Sequence, residues 1–203
     1  MPETAPPEDL AFVEFVASIA LVDYAQKGVF APFAVIGLEQ GSMIVPAESL
    51  VDLDAKQEFV NILRYLSIEH AGRRSAFAME VWTMLSRDPD DLRLMAEIHE
   101  RGGSISEHPR AGEAVYVIAE SDAGTITLQH RVVRTGDTIT LEAGESDFQE
   151  STYPPVSRGT FSNFHMPTSF QSTPEAQAYA AQMRLLVPST IARIDPGQEA
   201  TLN

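Results

Sequence analysis

The residues best suited to chemistry are few: Glu80, His99, His108 and His130. Glu80 stands in "SAFAMEVWTML" (75–85), a single carboxylate in an otherwise almost apolar run. A carboxyl in such surroundings acts as a general acid or base when burial raises its pKa and a second titratable group lies close by. "EIHERGGSISEHP" offers Glu97, His99, Glu100, Glu107 and His108, ligand types that zinc or iron accepts. Their spacing matches neither HExxH nor a His-x-His pair with further ligands. A solvated helix end and loop accounts for them, so no metal is expected. His130 falls on the apolar side of an alternating segment, where a hydrogen-bonded core histidine is the ordinary occupant. His165 lies in an irregular stretch.

Other chemistries lack their residues. Gly-x-Gly-x-x-Gly, GxxxxGK[ST] and Gly-x-Ser-x-Gly are all absent, and no cofactor is expected. The chain has no cysteine, which removes disulfides, thiolate metal sites and thiol nucleophiles together and suits a cytoplasmic location.

Net charge is −15, from 29 acids against 14 bases. No basic stripe is present to replace phosphate counterions, so neither nucleic acid nor an anionic membrane is an expected partner. The acids are spread along the chain, as solubility requires. Their one local excess is "EAGESDFQE", with Glu142, Glu145, Asp147 and Glu150. The apolar run 10–22 contains Glu14 and falls short of the ~20 apolar residues of a membrane helix. The start, "MPETAPPEDL", is acidic and proline-rich, the opposite of a signal peptide, and predicts a disordered leader over 1–8.

The elements that must position Glu80 and the histidines follow from periodicity. Residues 9–27 read as a helix with acids in its first turn and Lys27-Gly28 at its end, apolar almost all round and hence buried on more than one side. Two short runs, 33–38 and 42–46, flank Glu39-Gln40-Gly41 and predict a hairpin in which glycine supplies a positive φ. Pro46 suggests an edge position. A second helix, 54–71, is capped by Asp52 or Asp54 and stopped by Gly72. The segment 74–85 is assigned as a strand. A surface helix then opens with Asp88 as cap and Pro89 at its first position, and Gly102-Gly103 stops it. Period-two alternation over 113–120 and 125–134 around Gly124, extended by 138–142, predicts an antiparallel meander with one buried and one wetter face. No internal repeat or coiled-coil heptad stands out.

The expected architecture is α+β: an antiparallel sheet (hairpin 33–46, strand 74–85, meander 113–142) packed with helices 9–27 and 54–71. One domain spans 9–146, and an irregular extension over 147–203 carries a helix at 174–186. Within 74–85, Phe77, Met79, Val81, Thr83 and Leu85 form the expected core face. Ala76, Ala78, Glu80, Trp82 and Met84 form the mixed face, with Arg131 as the cross-sheet partner for Glu80.

Surplus apolar surface on several strands, the first helix and the aromatic tail often marks an interface. The expectation is a non-catalytic interaction protein that binds a protein partner or itself as a homo-oligomer, with Trp82, Met84, Phe161 and Phe164 at its interface. The alternatives are a small hydrolase or isomerase using Glu80 or the Glu97–His108 region, and an acidic inhibitor imitating nucleic acid.

Overall fold

The computed structural model of the protein describes residues 4–29, 31–47, 50, 52–83, 88–135, 138–142, 146–150, 163–186 and 192–194. The first helix, α1, runs from Pro7 to Lys27. It begins inside the stretch expected to be a leader, because Pro7 takes the first helical position, where its missing N–H costs nothing. Ala5 just before it is buried. Gly28 closes the helix in the left-handed region, at φ 74°.

β1 (Phe33–Gly37) and β2 (Ser42–Pro46) form the expected hairpin. Gly41 supplies the positive φ, 86°, and the Leu38 N–H closes the turn on the Gly41 carbonyl. α2 (Leu53–Glu69) is capped by Asp52, whose carboxylate accepts the Ala55 N–H at 2.8 Å. Its stop differs from expectation. Ala71, not Gly72, takes the left-handed conformation, at φ 51°. Gly72 is needed for space: a Cβ there would sit 2.8 Å from Ile36 and 3.1 Å from the Ser67 Cα.

β3 (Arg74–Thr83), β4 (Gly112–Ser121), β5 (Gly124–Thr135) and β6 (Thr138–Glu142) follow the predicted strand and meander. Between β3 and β4, α3 (Pro89–Glu100) carries the expected Asp88 cap. Two further strands had no sequence signal: β7 (Ser146–Glu150) and β8 (Ala192–Ile194). Two short helices, α4 (Thr168–Gln171) and α5 (Pro174–Met183), lie in the C-terminal region.

All pairings are antiparallel, in the order β6-β5-β4-β3-β1-β2-β8, with β7 beside the first half of β5. Among the described residues β8 pairs with Ser42–Ile44 and stops short of Pro46, which has no N–H to donate. At the other edge, β6 and β7 carry Glu142, Asp147 and Glu150 from the acidic run, charges that discourage addition of another strand.

Over β1 and the first half of β3 both faces of the sheet are buried, while the meander of β4 and β5 keeps the expected buried face under α1 and a wetter face opposite. α1 covers one face with Phe12, Val13, Val16, Ala20 and Tyr24, against Val35, Ala76, Ala78, Val115 and Val117. The alanines of β3 give a weak core signal in sequence, yet their small size lets the helix come close. The second face holds Ala34, Ile36 and Phe77 beneath Phe59, Val60, Leu63 and Leu66 of α2. Phe59 and Phe77 meet in a tilted pair with ring centroids 5.4 Å apart. Each fully buried large side chain contributes roughly 1.5–3 kcal/mol of burial.

Residues 163–186 complete that second core. Phe164 is fully buried in it, with Ala176 and Ala180 of α5. Two acids of the β4–β5 hairpin hold the segment down. Glu120, almost buried, accepts the backbone N–H of Asn163 at 2.7 Å and of His165 at 3.0 Å. Asp122 accepts the Thr168 N–H at 3.0 Å and the Thr168 hydroxyl. The Gln171 amide donates to the carbonyls of Gly72 and Met166, both at 2.7 Å.

Candidate functional site

Strand register decides which candidate residues can meet. β3 pairs Glu80 with Val115, and β4 pairs Val115 with His130, so the three share one row on the α1 face. Two strand spacings separate Glu80 from His130, roughly 10 Å, which is beyond hydrogen-bond reach. Arg131 falls on the opposite face and is exposed, so the expected Glu80–Arg131 pairing does not occur.

The charge near Glu80 comes instead from Glu113 and Arg134, beneath the last turn of α1. Glu113 lies opposite Trp82, diagonal to Glu80. The Arg134 Nε donates to Glu113 Oε2 at 2.7 Å, and its Nη2 donates to the Tyr24 hydroxyl at 2.8 Å and to the Gly28 carbonyl at 3.2 Å. Tyr24 in turn donates its hydroxyl proton to Glu113 Oε2 at 3.2 Å. The guanidinium also lies 5.8 Å from the Tyr24 ring centroid. This network ties the end of α1 to β4 and β5. The start is tied in the same way: Asp9 accepts the Ser121 hydroxyl at 2.5 Å and lies 3.3 Å from Arg74.

These surroundings set the protonation states. Burial, with the charges of Glu80 and Glu113, pushes the Tyr24 phenol up to about 12. Tyr24 is therefore a hydrogen-bond donor at neutral pH and no nucleophile. Glu80 is half-buried and makes no hydrogen bond or ion pair with the described residues. Its carboxyl is shifted above the ordinary range, first by desolvation and then by the Glu113 carboxylate, against a smaller opposing pull from Arg134. Burial lowers His130, opposed by a hydrogen bond with the Glu142 backbone.

A consequence of the Glu80 shift is testable. A carboxyl raised on folding gives stability that is fully present below its unfolded pKa and lost as pH rises through its folded pKa. Glu80→Gln should therefore match wild type near pH 4 and exceed it at pH 7, by up to about 1 kcal/mol. Urea melts at the two pH values check this. A loss of stability at pH 7 would mean that the charge of Glu80 supports the fold.

The remaining candidates lie elsewhere. His99 is exposed on α3. His108 is buried, its Nδ1 accepting the Arg110 N–H at 3.0 Å and its Nε2 lying 3.6 Å from Asp91 Oδ1. Arg110 reaches the other Asp91 oxygen at 2.7 Å, so the set fastens the loop before β4 to α3. Among the described residues no three His, Asp or Glu side chains gather as a metal site.

Of the expected interface residues, Trp82 is 46% exposed. Phe164 is not available to a partner, because the chain's own core encloses it. Met84 and Phe161 lie outside the described residues. Glu113, Arg134 and Tyr24 are not among the sequence candidates; the one signal is the helical spacing of Tyr24 with Val13, Val16 and Ala20.

The surface depressions among the described residues include two that can be compared with these positions. One, of about 780 Å³, lies between the β1–β2 turn, the end of α2 and α4. The other, of about 320 Å³, lies between α2 and the end of α5. Neither is lined by Glu80, His99, His108 or His130.

The outer face of α1 presents a different feature. Ala11, Phe15, Ser18, Val22 and Ala25 are all exposed and follow one another in steps of four and three, so they form a single row along the helix. Phe15 and Val22 are 40% and 39% exposed. The Ser18 hydroxyl is turned back onto the Phe15 carbonyl at 2.7 Å, so the row presents mainly apolar surface.

No family model, no curated protein and no solved structure matches the chain. No helix among the described residues is long and apolar enough to cross a membrane.

Proposed function

We propose that the protein is a non-catalytic interaction module that self-associates through the outer face of α1. The observation that carries this reading is the row with Phe15 and Val22 at its centre, exposed on a helix whose opposite side is buried against the sheet. Solvent-facing helix positions are ordinarily polar. An apolar row there gains free energy only when another surface covers it. Among the described residues, α1 is the only helix in that core, so nothing else in it stands between the row and a partner.

A catalytic reading has one observation in its favour, Glu80, without a hydrogen bond or ion pair among the described residues and with a raised carboxyl. A substrate site is concave, and the depressions described above lie away from Glu80. Association is therefore the better supported reading.

Sedimentation equilibrium of the full chain tests it. Wild type should show a concentration-dependent dimer, and Phe15→Glu combined with Val22→Glu should be monomeric. Both positions are exposed, so the double variant should melt at nearly the wild-type temperature. Wild-type protein that stays monomeric up to about 1 mM, the weak end of specific binding, would defeat the reading.

A further inference from the structure

We infer that the partner at this face is the α1 helix of a second copy, packed antiparallel about a two-fold axis that crosses the helix between Phe15 and Ser18. The inference rests on the self-association reading and adds partner and orientation to it.

The row alternates in size. Large residues stand at 15 and 22, and small ones at 11, 18 and 25. An antiparallel pair can set each large residue against a small one: Phe15 against the partner's Ser18, and Val22 against the partner's Ala11. Every layer then has similar bulk, and the helices keep one separation along their length, within the 8–10 Å range of packed helices. A parallel pair aligns each residue with itself. Phe15 would meet the partner's Phe15, while Ala11, Ser18 and Ala25 would face their own copies across gaps. Large pairs would hold the helices apart where small pairs need them close, and unfilled layers lose contact energy outright.

Charge favours the same choice. Glu8 continues the row by one further step of three. In a parallel pair it would face the partner's Glu8. In the antiparallel register it faces the partner's Ala25, and the macrodipoles of the two helices lie side by side in opposite directions. The pairing is isologous, so it closes at two copies and cannot propagate into a filament. One helix pair falls at the small end of interface sizes, below about 1,200 Å² in total. The dimer is accordingly weak and concentration-dependent.

The absence of cysteine allows a direct test, because any introduced thiol is unique. Ala11→Cys and Val22→Cys proteins, distinguishable by tag length, are oxidised separately and as a mixture under conditions where wild type sediments as a dimer. A disulfide needs Cα atoms within about 7 Å. The antiparallel register predicts that the mixture forms the mixed disulfide and that neither variant links to itself above a few per cent. Self-linking of each variant alone would show a parallel pair, overturning the inference while leaving self-association intact. A dimer with no link in any sample would place the contact elsewhere on the surface and overturn the inference together with the α1 face. Wild type that never dimerises would overturn the underlying reading itself.

Discussion

Truncating Phe164 to alanine should destabilise the protein by about 3–5 kcal/mol, the cost of deleting a fully buried aromatic ring that its neighbours only partly collapse around. Phe164 is 0% exposed in the core shared by α2, β1 and β3. Urea unfolding at pH 7 measures the loss. The variant also separates two pictures of the C-terminal region. If 163–186 is an integral part of the fold, the transition stays cooperative and only its midpoint falls. If the segment is an appendage, hydrogen exchange quickens across 163–186 alone while the sheet keeps its protection, and the global midpoint scarcely moves.

The second large effect belongs to Glu120. Replacing it with alanine strands the backbone N–H groups of Asn163 and His165, and each unsatisfied buried donor costs roughly 1–3 kcal/mol, so a loss of about 2–5 kcal/mol is expected. Glu120→Gln keeps one acceptor but aims an NH₂ group at the other N–H, and should fall between alanine and wild type. The pH dependence has a definite sign. Desolvation raises the Glu120 carboxyl, outweighing the lowering by the N–H groups of His165 and Asn163. The stability tied to this group is therefore fully present below its unfolded pKa and lost as pH rises through its folded pKa. The deficit of Glu120→Gln should be largest in acid and shrink toward neutral pH. A deficit that grows with pH would show that the hydrogen bonds outweigh the desolvation.

Much of the strand scaffold was legible in sequence because period-two alternation and turn residues are local signals. Thr125 to Val133 alternate cleanly, and the hairpin at Asp122–Ala123 follows from them. Asp88 and Pro89 likewise announced α3. What failed was the assignment of faces and partners. Ala76 and Ala78 look like filler in a strand, yet both are fully buried under α1. Strand alternation alone points to Arg131 as the partner of Glu80, but the register of β4 and β5 turns Arg131 to the other face, and Arg134 supplies the cation near Glu80.

The same limit hid the row on α1. Helical spacing puts Val13, Val16, Ala20 and Tyr24 on one face, but Phe15 and Val22 widen the stripe and predict a helix buried on more than one side. The structure buries the first four and leaves Phe15 and Val22 exposed. Residues 163–186 escaped for a related reason. Their anchors are backbone N–H groups received by Glu120 and Asp122, and such contacts leave no periodic mark in the sequence.

The fastening of α1 at both ends has a consequence for synthesis. Its C-terminal tie joins Tyr24 to Glu113 and Arg134, 89 and 110 residues downstream, and its N-terminal tie joins Asp9 to Ser121, 112 residues downstream. At a ribosomal rate of about 5–20 residues per second, α1 waits roughly 5–20 s before β4 and β5 emerge to complete its shelter. Until then the part of its inner face that β4 and β5 cover stays exposed, so the nascent chain is most open to aggregation, or to capture by a holding chaperone, between the completion of α1 and that of β5.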